Sequence, residues 1–139
     1  MFDQSHNLAP SIPHTGKMHW LDVAFLKDGA VHARRIITAD HLFVRNGILL
    51  QSAIIEMLSQ TAACEAVILA HEKKLQVQIG MLVAIRDLQF SADAGVGCTL
   101  LLHARREKTF GSLVNYAVRA DIENTCIVQG RMTFHLTLK

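Results

Sequence analysis

The sequence predicts an α+β fold in which an antiparallel sheet wraps one long, buried helix. Three observations support this: one apolar helical stretch, strand-like segments on both sides of it, and turn signals between those segments. Half of the residues are hydrophobic and 19% are charged, which is more apolar than a typical soluble domain. Such a composition suits a core helix, a subunit interface, or both. At 139 residues, the whole chain, 1–139, is expected to form a single domain.

Two strands and a polar connector are predicted before the helix. Residues 17–37 read as strand and are divided by Asp28-Gly29, a strong signal for a tight hairpin turn. The polar residues 38–47 follow and end in a second turn signal, Asn46-Gly47.

The helix is predicted to run from Ile48 to about Lys74. Gly and Pro are absent from this stretch, and strong helix formers dominate it. Hydrophobic residues cover nearly the whole circumference, which is typical of a buried helix. Glu56 interrupts the apolar run, and a buried charge is costly unless it is paired or neutralised. This carboxyl group is therefore a candidate for a functional role.

Four further strands are predicted after the helix, where β-branched and large apolar residues become frequent. They begin near Val77, Cys98, Ser112 and Thr125, and the separators ADAGVG, FGS and EN are typical of loops and hairpin turns. In the third of these strands, one face is formed by alternate residues: Val114, Tyr116, Val118 and Ala120. Strands on both sides of one helix indicate an antiparallel sheet.

Composition argues against several classes of function. A net charge of +2 and 6% aromatic residues give no support to nucleic-acid binding. Three cysteines without a Cys-x-x-Cys pair and eight scattered histidines predict neither a disulfide framework nor a metal site. No secretory signal is visible and the apolar runs are interrupted, so we expect a cytoplasmic protein without a membrane span. Three short basic runs, Arg34-Arg35, Lys73-Lys74 and Arg105-Arg106 with Lys108, form either a solvated surface or a docking surface for an acidic partner.

Three motifs resemble the 3-hydroxyacyl-[acyl-carrier-protein] dehydratases, and most closely the small dehydratase-like proteins of aryl-polyene gene clusters. The motifs are PHTGKMHWLD from Pro13, IIEMLSQTAA from Ile54 and GRMTFHL from Gly130. The resemblance covers nearly the whole chain and implies the hot-dog fold, a central helix wrapped by a curved antiparallel sheet. It also implies a dimer whose sheets join edge to edge, either a homodimer or a heterodimer with a related hot-dog subunit.

The activity implied by the resemblance is dehydration of a 3-hydroxyacyl thioester of acyl carrier protein or CoA, in fatty-acid or polyene-type biosynthesis. In this β-elimination a base removes the C2 proton, an acid protonates the departing C3 hydroxyl, and donors stabilise charge on the thioester oxygen. Acid, base and donors suffice, so no cofactor is expected. In the family, a His from one subunit and a Glu or Asp from the other form each site, and the acyl chain lies in a tunnel beside the helix.

Glu56 matches the helix carboxylate of the family, and it belongs to a polar stripe at four-residue intervals: Ser52, Glu56, Gln60 and Cys64. His41 lies fifteen residues before Glu56, near the position of the catalytic His of the family, although the Pro-Gly pair typical of that loop is absent. His14, in the N-terminal motif, is the second candidate. Predicted substrate-binding residues lie around the helix start and along the stripe: Gly47, Gln51, Ser52 and Gln60.

Two alternatives keep the same fold. The altered His loop favours a non-catalytic subunit that completes an active dehydratase partner. A hot-dog acyl thioesterase is also possible, in which Glu56 activates water and the helix start polarises the carbonyl. The remaining strand histidines are predicted to be ordinary sheet residues: His19, His32, His103 and His135.

Overall fold

The computed structural model describes residues 6–12 and 18–139. It contains one α-helix, α1 (Gln51–Glu72), and a short 3-10 turn at Ala9–Ser11. The long strands are β1 (Val23–Lys27), β2 (Ala30–Ile36), β5 (Val77–Phe90), β7 (Thr99–Phe110), β8 (Leu113–Ile122) and β9 (Thr125–Leu138). The short strands are β3 (Val44–Arg45), β4 (Ile48–Leu49) and β6 (Ala94–Gly95).

The long strands form one antiparallel sheet in the order β1-β2-β7-β8-β9-β5, and the short strands form a second in the order β3-β4-β6. The helix packs on the inner face of the large sheet, where β7 and β8 contribute alternate buried residues: Leu100, Leu102, Ala104, Val114, Tyr116, Val118 and Ala120. One long helix on a curved antiparallel sheet is confirmed, and so is the shared face predicted for the third strand after the helix.

The turns lie where the sequence predicts them, whereas the helix starts later. Asp28 and Gly29 have φ of 52° and 76°, and Asn46 and Gly47 have φ of 54° and 76°, as tight hairpin turns require. The second turn folds the chain back so that Val44 pairs with Leu49, and β4 also pairs with β6. The first residues of the predicted helix, Ile48 and Leu49, therefore form strand β4, and α1 begins at Gln51.

The helix is long and apolar enough to cross a membrane, contrary to the expectation from interrupted apolar runs. Its most apolar 18-residue window has a mean hydropathy of 1.5, but 72% of that window is buried inside the fold. Thirteen of its residues, from Ala53 to Ala70, are buried. The helix is therefore the core helix of this fold, and the sheet covers most of its apolar surface.

Strand β5 forms an exposed edge of the large sheet. It pairs with β9 on one side, and no described strand pairs with its other side. Most of its residues are exposed, among them five large hydrophobic ones: Ile79, Met81, Leu82, Val83 and Ile85. A long apolar edge strand is unusual in a monomer because it offers unpaired N–H and C=O groups to another chain.

A bulge in β5 presses the backbone of that strand against Gly130. The register of β5 and β9 shifts between Arg86 and Gln89, and Asp87 in the bulge has a φ of 53°. A Cβ atom on Gly130 would lie 2.6 Å from the Leu88 Cα and 2.9 Å from the Asp87 carbonyl oxygen. Backbone atoms cannot move aside as the end of a flexible side chain can, so residues larger than glycine do not fit at position 130 without a shift of β5.

Gly130→Ala should lower the free energy of unfolding by about 1–3 kcal/mol, because the added methyl group forces the bulge away from β9. The matched control is Gly80→Ala on β5, where the added Cβ would meet only the Leu136 Cδ2 atom, at 3.4 Å. We expect the control to keep or raise stability, because glycine inside a strand is less stable than alanine by roughly 0.5–1 kcal/mol. Urea denaturation measures both; equal effects would show that the close approach at Gly130 is absent.

Candidate active site

An elongated cavity of about 580 Å³ runs along α1, between the helix and the β5 side of the large sheet. Glu56 and Ser59 line it near the helix start, and His71 lines it near the helix end. Between them the helix wall consists of small or apolar residues: Ala62, Ala63, Ala66, Val67 and Ala70. Strands β5, β8 and β9 form the opposite wall with Val77, Gly80, Leu82, Tyr116, Phe134 and Leu136. The cavity is thus a mostly apolar groove with a carboxyl group at one end.

Glu56 is half-buried in this wall and is oriented by Gln60, one helical turn further along. The Gln60 Nε2 atom donates to Glu56 Oε1 at 3.2 Å and to the Met18 carbonyl oxygen at 2.8 Å. The Trp20 backbone N–H donates to Gln60 Oε1 at 2.9 Å. Gln60 is fully buried and does not line the cavity. Its amide, predicted to bind substrate, instead ties residues 18–20 to the helix and positions Glu56.

The predicted polar stripe crosses from solvent into the core as the helix proceeds. Ser52 is exposed, Glu56 is half-buried, and Gln60 and Cys64 are fully buried. Burial raises the pKa of the Cys64 thiol to about 12, so this sulfur stays protonated at neutral pH. Only the Glu56 part of the stripe opens into the cavity.

His41 lies away from this cavity, in a pocket of aromatic residues. Its ring contacts Trp20 edge to face, with 4.6 Å between ring centroids, and its Nδ1 atom accepts a hydrogen bond from the Phe43 backbone N–H at 3.1 Å. Its Nε2 atom is buried and has no hydrogen-bond partner among the described residues. Burial lowers the pKa of His41, Arg35 lowers it further, and Asp40 raises it. The neutral imidazole is therefore favoured, with its hydrogen on Nε2 because Nδ1 is the acceptor.

The other predicted site residues that the structure describes do not gather around Glu56. Gly47 lies in the exposed turn between β3 and β4, and its carbonyl oxygen accepts a hydrogen bond from the Val96 N–H at 2.9 Å. Gln51 and Ser52 are exposed in the first turn of the helix, and neither lines the cavity. His14 falls outside the described residues. Of the predicted residues, the structure brings together Glu56 and Gln60.

A second carboxyl group on α1, Glu65, was missed by the sequence reasoning. It is 2% exposed; the Tyr116 hydroxyl donates to its Oε1 atom at 3.1 Å, and the Arg106 Nη2 atom lies 3.3 Å from its Oε2 atom. The same Arg106 nitrogen lies 3.3 Å from Glu72 Oε2. Glu65 interrupts the same apolar run as Glu56, so the signal was present in the sequence. The Tyr116 ring, packed edge to face on Phe134 at 5.8 Å, carries this network to the cavity wall.

Burial dominates the electrostatics of this network. It raises the pKa of Glu65 from 4.5 to about 7, although Arg106 and the Tyr116 hydroxyl act in the opposite direction. Burial and the neighbouring Glu65 also raise the pKa of Tyr116. A buried acid that holds its proton up to neutral pH makes the stability of the fold dependent on pH.

A family profile described as ApeP dehydratase matches residues 6–136, nearly the whole chain. The chain belongs to the ApeP-like dehydratase family. A search of the curated proteins finds no match.

Solved structures confirm the hot-dog fold. The dehydratase heterocomplex ApeI:P from Xenorhabdus doucetiae contains a chain of TM-score 0.83 and 19% identity, with 95% of this chain and 91% of that chain covered. A hypothetical thioesterase with coenzyme A from Streptococcus pneumoniae has a TM-score of 0.65 at 11% identity, covering 84% of each chain. A conserved protein from Pseudomonas aeruginosa has a TM-score of 0.66 at 18% identity, covering 84% of this chain and 88% of that chain.

Glu65→Gln should flatten the dependence of stability on pH. Between pH 4.5 and about 7, Glu65 is ionised in the unfolded chain and protonated in the folded chain, so stability falls as pH rises. The slope contributed is at most about 1.4 kcal/mol per pH unit. Gln cannot ionise, and its amide oxygen can still accept from Tyr116. The variant should therefore be more stable than the wild type at pH 8 and lack this slope.

Urea denaturation from pH 5 to pH 8 measures this difference. Glu123→Gln, which changes an exposed carboxylate in the turn after β8, should keep the slope of the wild type. A slope that persists in Glu65→Gln would show that Glu65 titrates normally in the folded chain.

Proposed function

We propose that this protein is a dehydratase subunit that removes water from 3-hydroxyacyl thioesters of acyl carrier protein or CoA in the cytoplasm. The observation that supports this most directly is Glu56, a carboxyl group held by Gln60 at one end of an apolar groove, in a chain of the ApeP dehydratase family. The proposed pathway is a fatty-acid or polyene type, of which aryl-polyene synthesis is an example. No cofactor takes part in the proposed reaction.

In the proposed reaction the apolar part of the groove binds the acyl chain, and the end at Glu56 carries out proton transfer. The alanine-rich wall of α1 accommodates the acyl chain, whose burial supplies binding energy of about 0.8 kcal/mol per CH₂ group. Glu56 transfers a proton during elimination, which breaks the C2–H and C3–O bonds and forms the C2–C3 double bond. An imidazole completes the site, and a hydrogen-bond donor near the thioester oxygen stabilises the charge that develops there.

The complete site is proposed to form at a dimer interface on the β5 edge. Residues of β5 line the groove that contains Glu56, and the outer side of the same strand is exposed and apolar. Pairing of two such edges would satisfy their backbone groups and place a second subunit beside the groove. The partner is a second copy of the chain or a related hot-dog subunit, as in the ApeI:P heterocomplex.

A second candidate function is that of a subunit that needs its partner for the imidazole. His41 supports this candidate because its Nδ1 lone pair is used by the Phe43 N–H, and its Nε2 atom is buried. A ring held in this way is not arranged to accept the C2 proton. In this candidate the chain supplies Glu56 and the groove, and a related hot-dog subunit supplies the base. In the first candidate, His41 or His14 serves instead.

Glu56→Gln should reduce turnover of a 3-hydroxyacyl thioester by roughly 100-fold or more, because an amide cannot exchange the proton. Stability should hold or rise, since the amide keeps the shape and can still bond with Gln60. The matched control is Glu72→Gln on the same helix, whose side chain is 55% exposed and does not line the groove; it should retain turnover. Thioester dehydration and the unfolding midpoint are measured on the same samples.

Three outcomes of this assay separate the alternatives. Normal turnover combined with early melting in Glu56→Gln would make Glu56 a structural group and refute the site. Thioester cleavage without hydration of a crotonyl thioester would identify a thioesterase. Hydration that appears only after a related hot-dog subunit is added would select the second candidate.

Met81→Lys should weaken the proposed dimer. Met81 is 57% exposed on β5, and a lysine there would bury an unpaired charge in the joined edges. The dissociation constant from sedimentation equilibrium should rise roughly tenfold or more. Phe110→Lys, which changes a 67% exposed residue at the end of β7, should leave it unchanged. A wild-type chain that is monomeric, alone and with a related subunit, would refute the interface.

A further inference from the structure

The outer face of the large sheet, opposite to α1, carries a continuous row of polar side chains. Directly opposed residues of an antiparallel sheet lie on the same face. Pairing from β2 through β7, β8 and β9 to β5 places five residues in one row: His32, His103, Arg119, Gln129 and Gln89. Neighbouring residues in the chain point to the inner face, where Leu102 and Ala104 are buried.

The next row has a small residue between two arginines. Ala117 on β8 is opposed by Arg105 on β7 and by Arg131 on β9, and Arg131 is opposed in turn by Arg86 on β5. Arg131 and Arg86 are directly opposed like charges, which is destabilising, whereas Arg105 lies two strands from Arg131 with Ala117 between them. Apart from Arg86, the residues of the two rows line a groove of about 780 Å³ whose floor includes Ala117.

Part of the positive charge of this groove is not neutralised within the chain. Arg119 Nε lies 2.7 Å from Asp121 Oδ1, and Arg131 Nε lies 2.9 Å from Glu107 Oε1. Arg105 makes no ion pair with any residue in the described part of the chain. Asp87 and Asp121 also line the groove, so Arg105 is the groove arginine whose charge no ion pair within the described residues offsets.

His103 offers a further donor in the groove. Its ring contacts His32 edge to face, with 4.5 Å between centroids, and its Nε2 atom lies 3.5 Å from Asp121 Oδ2 without hydrogen-bond geometry. That nitrogen is buried and lacks a hydrogen-bond partner in the described structure. Buried polar atoms in native proteins nearly always have such a partner, so a bound ligand could supply it. Among residues 6–12 and 18–139, no three His, Cys, Asp or Glu side chains are arranged to hold a metal ion.

We propose that this outer-face groove binds a small phosphorylated molecule, with a phosphate group over Ala117 between the side chains of Arg105, Arg131 and His103. Guanidinium groups present paired N–H donors that match phosphate oxygens, and their bonds to phosphate are charge-assisted. The phosphate offsets the charge of Arg105, which no ion pair offsets, and accepts a hydrogen bond from His103. The groove lies on the face opposite to the helix, so this site is separate from the groove of Glu56.

Pyrophosphate titration of the full-length wild-type chain tests the site. The ring signals of His32 and His103 are followed by NMR and assigned with the His32→Gln and His103→Gln variants. Both signals should shift and saturate at millimolar pyrophosphate or below, while those of His71 stay in place. Histidine signals of the groove that do not move over this range would overturn the proposal.

Paired variants distinguish a built site from simple charge screening. Arg105→Gln removes a groove arginine without an ion pair and should weaken binding roughly tenfold, as expected for one charge-assisted contact. The control is Arg34→Gln, which removes the same charge from an exposed position on β2 that does not line the groove. It should change the affinity less than twofold, about the effect of an exposed charge pair. Equal weakening by both variants would overturn the proposal in favour of non-specific attraction.

Sulfate, which remains a dianion from pH 5 to pH 8, gives an independent test through pH. The titratable and charged groups that line the groove with His103 are His32 on β2, Arg105 on β7, Arg119 and Asp121 on β8, Arg131 on β9 and Asp87 on β5. Burial and His32 lower the pKa of His103, whereas Asp121 raises it, and a bound anion must raise it further. Sulfate should therefore bind more tightly as the pH falls through this range, and His103→Gln should reduce that dependence. Binding that ignores pH in the wild type would contradict the role of His103.

Discussion

The rest of the structure depends on covering a single apolar helix. A 22-residue helix that is hydrophobic on nearly every side cannot remain exposed, and one curved sheet supplies most of the cover. Polar groups that the helix takes into the core must find partners there. Gln60 hydrogen-bonds to the backbone of Met18 and Trp20. Glu65 accepts a hydrogen bond from Tyr116 and pairs with Arg106, and the Thr61 hydroxyl donates to the Met57 carbonyl oxygen. The buried polar residues of the helix therefore determine how it is attached to its surroundings.

The sheet does not completely cover α1 on the β5 side, and the candidate active site lies there. The groove beside α1 remains open there, Glu56 lines it, and the strand that forms its outer wall has an unpaired apolar edge. A partner on that edge would close the cover, bury the hydrophobic residues of β5 and complete the site together. Covering the apolar surface of α1 and β5 would therefore stabilise the fold, hold the dimer together and complete the proposed site.

Local patterns predicted most of the fold, and long-range contacts explain what they missed. Asp28-Gly29 and the alternating residues of β8 act within a few residues, so their signals are visible in the sequence. The helix start was displaced because Leu49 pairs with Val44 and β4 pairs with β6, a choice made by strand partners. Glu65 was missed because its partners lie 41 and 51 residues away in the chain. Of the predicted site residues that the structure describes, Glu56 and Gln60 are in contact, and contacts with the proposed second subunit cannot be inferred from one sequence.

The most direct test of the account compares dehydration activity per chain with the fraction of paired chains. Turnover of a 3-hydroxyacyl thioester is measured over a dilution series of the chain, alone and with a related hot-dog subunit, beside sedimentation of the same samples. If the site forms at the interface, activity per chain should rise with pairing and vanish when the chain is monomeric. Activity per chain that stays constant down to the monomer would contradict it.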